Sequence, residues 1–300
     1  MQIRTDMAVE LAGNAGQIDG IRNESFTDKN GMEVSRIEIV SKRASDILGK
    51  PIGNYVTLDM GNIARLLPEK RNILAKSCAD EIKNLIGENE NVLIVGLGNR
   101  MVTPDSLGPK TCDGVFVTRH IKKHIPEAID ERASTVSAIA PGVLGVTGIE
   151  SEEVINSLAK EIRPDVIIAV DALAAKEIKR IGGSIQISDA GIQPGAGMGN
   201  GRNPIDKETT GVKVVAIGVP TVAYASTVAR DYFQEASSNV IGKQDAEEIS
   251  NRFSKISDDL VITPTDIDKL TDHAAQLLAD ALNIAVNPHI PYEDIRDFMD

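Results

Sequence analysis

Hydrophobic residues in this chain gather into short continuous runs, and these runs alternate with stretches of helical spacing. Val92 to Val95, Thr135 to Ala140, Val166-Ile-Ile-Ala-Val170 and Lys213 to Val219 each read as a strand covered on both faces, as in a parallel sheet between helices. Pro141-Gly142 ends the second run and Pro220 stops the last. Between them the spacing predicts a helix through Val115, Phe116 and Ile121, a helix capped by Ser151 with Glu152 and Glu153 in its first turn, and a helix beginning near Ala172. Ile185 to Asp189 reads as an edge strand. This βαβ repetition predicts an α/β fold with a mostly parallel, doubly wound sheet flanked by helices and right-handed crossovers.

The flanks differ in character. Val34 to Val40 alternates like a half-buried strand and Asn54 to Asp59 is a second candidate, so extra β elements are expected near the N-terminus. From Pro68 to Ile86 the pattern is helical, with Ile73, Leu74, Cys78, Ile82 and Leu85 on one apolar face. A last helix begins at Thr265, with Asp268 placed as in a capping box, and shows Ile267, Leu270, Ala274, Leu277, Leu278 and Ala281 on one side. Ser237 to Asp259 is polar and charged, a lid or surface excursion over about 235–260. No repeat or linker divides the chain, which predicts one elaborated domain.

Composition narrows the function. With 300 residues and 42% hydrophobic content the chain can bury a large core, and its 3% aromatic content with no Trp suits aliphatic α/β layers. A net charge of −12 argues against a nucleic-acid or anionic-membrane surface. Cys78 and Cys112 are too few for a disulfide framework, which points to a reducing compartment. No apolar signal core opens the chain and no apolar run is long enough to span a bilayer. The expectation is a cytoplasmic protein.

Candidate chemistry lies behind the strands. Gly96-Leu-Gly98-Asn99 invites a dinucleotide reading, but the last glycine position of that fingerprint holds Met101, and Pro104 prevents a helix from starting there. The glycines serve instead as a sharp turn that presents Asp105. Asp105 also fits an ordinary turn or cap residue, and Asp171 fits a cap for the helix expected at Ala172. Yet Asp171 follows five apolar residues, where a carboxylate is costly unless hydrogen-bonded or at a site. Residues just beyond the carboxyl ends of such strands face the ligand crevice. Two close carboxylates cannot both ionise easily, so one keeps its proton and the pair can act as acid and base on water and a carbonyl. A divalent metal is the competing use of such a pair. His120 and His124, one helical turn apart, read as solvated, and His273 and His289 fall in no strand-end loop.

Two glycine-rich loops, Pro141 to Gly148 and Pro194 to Arg202, read either as flexible turns or as backbone donors to a ligand. Arg100, Lys110, Arg119 and Arg202 lie near these loops and can receive acidic substrate side chains.

Several long segments, in order, resemble the germination protease family. They are Val102-Thr-Pro-Asp105-Ser-Leu-Gly-Pro109, Ser137 to Glu150, Ile168-Ala-Val-Asp171-Ala-Leu-Ala-Ala175, Ile185 to Asn200 and Gly218-Val-Pro-Thr-Val222. The resemblance is dense over residues 3 to 222 and thins toward the last helix. It implies an atypical aspartic endopeptidase, with no cofactor or metal, that starts the degradation of small acid-soluble spore proteins during germination in the spore core. It implies a homotetramer with a fold similar to hydrogenase maturation peptidases, no direct contact with nucleic acid and none with membrane. The family aspartates fall on Asp105 and Asp171. The family is made as a self-processing zymogen, and Arg4-Thr-Asp6-Met7-Ala-Val-Glu10 matches its processing site, with residues 1–6 as propeptide and the cut between Asp6 and Met7. Asn99, Gly142, Gly148, Asn200 and Arg202 are the candidates for shaping the substrate cleft. Tyr224 stands where an acidic residue is expected, and the region after residue 233 is shorter and diverged. Two rivals stand beside this reading: a metal-dependent maturation-type endopeptidase, and a non-catalytic binding protein on the same fold.

Overall fold

The computed structural model describes residues 5–14, 18–195, 203–237 and 260–299. Helix α1 (Ala8–Asn14) precedes strands β1 (Ile21–Thr27) and β2 (Glu33–Ile39), helix α2 (Lys42–Leu48), strand β3 (Gly53–Asp59) and helix α3 (Pro68–Ile86). Strand β4 (Asn91–Gly96) leads through a 3-10 turn, Thr103–Asp105, to α4 (Leu107–Asp113) and α5 (Arg119–His124). Then follow β5 (Thr135–Ile139), α6 (Leu144–Thr147), α7 (Ser151–Ile162), β6 (Val166–Ala175) and β7 (Ser184–Ser188). Last come α8 (Lys207–Thr210), β8 (Lys213–Tyr224), α9 (Ala225–Ser237), β9 (Val261–Ile262), α10 (Ile267–Val286) and α11 (Tyr292–Met299).

The strands form one sheet in the order β1-β2-β3-β7-β8-β6-β4-β5, with β9 paired to β8. The β5, β4, β6 and β8 pairings are parallel, whereas β1, β2, β3 and β7 extend the sheet antiparallel from β8. The sheet is therefore mixed: an α/β layer with the expected N-terminal β elements added at one side. Alternation along the inner strands builds two cores. Val92, Ile94, Val166, Ile168, Val215 and Ile217 face α3 and α10, and Leu93, Val95, Ile167, Ala169 and Val214 face α7. Each Val, Leu and Ile side chain among them contributes about 1.5–3 kcal/mol by leaving water, enough to fix which face each strand turns inward. A third cluster, with Ala8, Ile37, Leu48 and Tyr55, seats α1 and α2 on the N-terminal strands.

Several elements depart from the sequence expectation. No helix starts at Ala172: β6 runs on to Ala175, because Ala172 to Ala175 pair with β8. Pro220 does not stop β8, which continues to Tyr224; the register with β6 shifts between Leu173 and Ala174, and this bulge accommodates a residue that cannot donate to the ladder. β7 is an inner strand between β3 and β8, buried at every residue, not an edge. Val115 and Phe116 lie between α4 and α5 rather than in a helix. Glu150, not Ser151, is the N-cap of α7, and Asp266 is the N-cap of α10, with no capping side-chain bond in either helix. Helix α9 reaches Ser237, and the remainder of the expected excursion, 238–259, lies outside the described residues.

Candidate active site

The turn after β4 is built around missing side chains. Leu97 N donates to Val170 O at 2.8 Å, keeping the turn on β6. A Cβ on Gly96 would stand 2.2 Å from the Gly108 carbonyl oxygen, and one on Gly98 would stand 2.0 Å from that of Asp105. Gly98 also has φ +110, a conformation L side chains rarely adopt. Asp105 closes the 3-10 turn, and its Oδ2 accepts from Asn99 N at 2.7 Å. The turn residue and the candidate acid are thus the same side chain.

Asp171 lies within β6, only 7% exposed, and its Oδ1 accepts from Ala172 N at 2.9 Å. Val170 pairs with Gly96, the last residue of β4, so Asp171 sits just beyond the point where β4 turns away. Asp105 and Asp171 line one cleft of ≈ 330 Å³, together with Leu97, Gly98, Pro104, Val143, Ser151 and Thr221. Its position at the carboxyl ends of β4 and β6 is where ligands enter open α/β sheets.

Asp6 lines the same cleft. Its backbone N donates to Ala174 O, and Ala174 N donates to its Oδ2, both at 2.9 Å. Gln186 of β7 donates from Nε2 to Asp6 O at 2.9 Å and accepts from Ala8 N on Oε1 at 2.7 Å. Thr5 hydroxyl donates to Glu10, whose carboxylate also accepts from Lys176 N and Glu177 N, each at 2.8 Å. Glu10 is buried beside Arg180 at 3.7 Å, and burial pushes its carboxyl up against those hydrogen bonds. Lys50 lines a second cleft that shares Asp6 and Leu173 with the first; burial pushes its ammonium down, opposed by the charges of Asp6 and Glu10.

The remaining expected residues are dispersed. Asn99 supports the turn, its Oδ1 accepting from Met101 N at 3.0 Å. Gly142 has φ +79 and accepts from the Ser151 hydroxyl at 2.9 Å, beside the cleft residue Val143. Gly148 ends α6 with φ +73. Asn200 and Arg202 lie outside the described residues. Arg100 is paired with Asp113 and Lys110 with Asp272, in a different groove, and Arg119 is exposed. Tyr224 is buried at the end of β8, opposite Val261. Among the described residues no three His, Cys, Asp or Glu side chains gather as a metal site would require, and no helix is long and apolar enough to cross a membrane. Sequence reading missed Gln186 and Glu10. Both lie inside segments that resemble the family, but the partners that give them their place, Asp6 and Ala8 for Gln186 and Lys176 and Glu177 for Glu10, lie more than 160 residues away in the chain.

The family model described as germination protease matches residues 2–235. The chain belongs to the germination protease family. It is 38% identical to a germination protease of Clostridium perfringens over 323 residues, covering 99% of each chain. It is 34% identical to that of Bacillus velezensis over 351 residues, covering 97% of this chain and 95% of the other. A [NiFe] hydrogenase maturation protease, HycI from Thermococcus kodakarensis, is similar at a TM-score of 0.36 and 18% identity, covering 67% of this chain and 98% of that one. Membership in a protease family makes this chain a peptidase, a hydrolase of peptide bonds.

Proposed function

We propose that this germination protease is an aspartate-dependent endopeptidase that cuts itself between Asp6 and Met7 and then opens small acid-soluble spore proteins to degradation. What supports this reading is the one cleft lined by Asp105, Asp171 and Asp6 in a chain of this family. It takes the working form to be a homotetramer in the spore core, with no direct nucleic-acid or membrane partner.

The chemistry follows from the pair. The ionised carboxylate removes a proton from water as the oxygen attacks the scissile carbonyl carbon, and the neutral carboxyl gives its proton to the carbonyl oxygen. Collapse of the tetrahedral intermediate breaks the C–N bond. The proton taken from water goes to the leaving nitrogen, and the hydroxyl proton returns to the pair. One water is consumed, leaving a carboxyl on the first fragment and an amine on the second. Which aspartate begins protonated is a property of the pair as a unit.

The test is intact mass during incubation at mildly acid pH, for the wild type, Asp105→Asn and Asp171→Asn, with and without chelator. Loss of residues 1–6 in the wild type alone, unaffected by chelator, is expected. Processing by either Asn variant would remove the aspartate pair from the mechanism. Abolition by chelator, restored by a divalent ion, would favour the metal-dependent rival, and no hydrolysis of any spore-protein-like substrate would favour the binding protein.

A further inference from the structure

We propose that Gln186 is the substrate-gripping residue of this protease, its side-chain amide holding the backbone on both sides of the bond to be cut. The inference rests on the Asp6–Met7 cleavage reading and adds to it a residue with no role in that reading. The Asp6 carbonyl oxygen can only accept and the Ala8 N–H can only donate, so the two contacts fix the orientation of the amide without ambiguity. Nε2 therefore points at the carbonyl of the proposed scissile bond, and Oε1 at the N–H of the next peptide bond after it.

The sheet register puts this grip beside the aspartates. Asp171 on β6 and Gln186 on β7 both pair with Gly218 on β8. The neighbours Val170, Ile217 and Ile185 all face the α3 and α10 core, so Asp171, Gly218 and Gln186 share the opposite face. Two strand spacings separate the Asp171 and Gln186 backbones, about 10 Å. The residue between them has no side chain. A Cβ on Gly218 would come within 2.6 Å of the Leu173 side chain, which lies over β8 at this point between Asp171 and Gln186. The N-terminal segment spans β8 from one side to the other, bonded to Ala174 of β6 and to Gln186 of β7, the strands flanking β8.

A donor on a scissile carbonyl strengthens as that oxygen gains charge in the transition state, whereas the contact to Ala8 N only holds the segment. The amide thus orients the carbonyl in the ground state and favours attack on it. A protein substrate laid along the same path as the N-terminal segment would meet the same donor and acceptor, whatever its side chains.

The experiment follows self-cleavage of the full chain by intact mass for the wild type, Gln186→Ala and Gln186→Glu between pH 4 and 7, with thermal melts as a control for folding. Gln186→Ala is expected to process at least about tenfold more slowly. Gln186→Glu keeps the acceptor for Ala8 N but, once ionised, offers no donor to Asp6 O; its rate relative to wild type is expected to rise as the pH falls and the carboxyl regains a proton. That rise is the signature a packing role would not give, and it is readable even if the alanine variant folds poorly. A Gln186→Ala rate within twofold of wild type, a faster rate, or a Gln186→Glu ratio flat with pH would each overturn the grip. Failure of the wild type to lose residues 1–6 would instead overturn the cleavage reading itself.

Discussion

Glu10 has no exposed side-chain surface, yet two backbone amides and the Thr5 hydroxyl converge on its carboxylate, with Arg180 beside it. Burial is the larger influence and raises its pKa above the ordinary 4.5. A carboxyl raised on folding binds more protons in the native state than in the unfolded one. Its contribution to stability is complete below the unfolded value and is lost as the pH rises through the folded value. Glu10→Gln cannot ionise and carries one acceptor fewer, so a pH-independent offset against wild type is expected from the missing hydrogen bond. On top of that offset, the wild type should lose ground to the variant as the pH rises from 4.5. Thermal melts of both proteins in matched buffers measure this, and a difference constant with pH would show that Glu10 does not titrate in that range. Asp171 was legible at this scale because a charge after five apolar residues demands a reason. Gln186 was not, since a glutamine between isoleucines in a short run looks like a solvent-facing strand position.

At the scale of elements, helical periodicity was the most legible signal, and α10 shows why. All six residues expected on its apolar face are buried or packed against the core, pressed onto α3 and α4. Leu278→Ala at this fully buried position should destabilise the protein by about 2–5 kcal/mol through lost transfer energy and a residual cavity. Urea denaturation checks it, and a cost below 1 kcal/mol would mean that the three helices close over the gap. The strand ends were misread for a shared reason. Ala172 to Ala175 has helix-forming composition, and Pro220 is a strand terminator by local rule, yet each lies where β6 and β8 extend beside one another past the end of β4. Pairing and burial outweighed the helix propensity of the alanines, worth only tenths of a kcal/mol per residue, and the register shift beside Pro220 takes up its missing donor. β1 carried no apolar signal because it is an exposed outer strand, and its register is imposed by β2.

For the whole molecule, the N-terminal segment ties the proposed cut to the end of the central strand. Ala174 N donates to Asp6, which lies before the Asp6–Met7 bond, while Lys176 N and Glu177 N donate to Glu10, which lies after it. Cleavage would therefore divide three neighbouring amides between two fragments. The amide of Ala174 should lose protection against hydrogen exchange when residues 1–6 depart, and the amides of Lys176 and Glu177 should keep theirs, because Glu10 stays attached through α1, with its buried Ala8, and through the buried Met7 that precedes it. Thr5 and Asp6 would leave together, taking the side chain that lines both clefts and the hydroxyl that donates to Glu10. The cleft beside Asp105 and Asp171 would then widen on the side that Asp6 had lined. Exchange measured on Asp171→Asn, which is expected to retain residues 1–6, gives the uncut reference. Loss of protection at all three amides would mean that α1 is released along with the propeptide. Unchanged protection at Ala174 would mean that its bond to Asp6 is not what shields it.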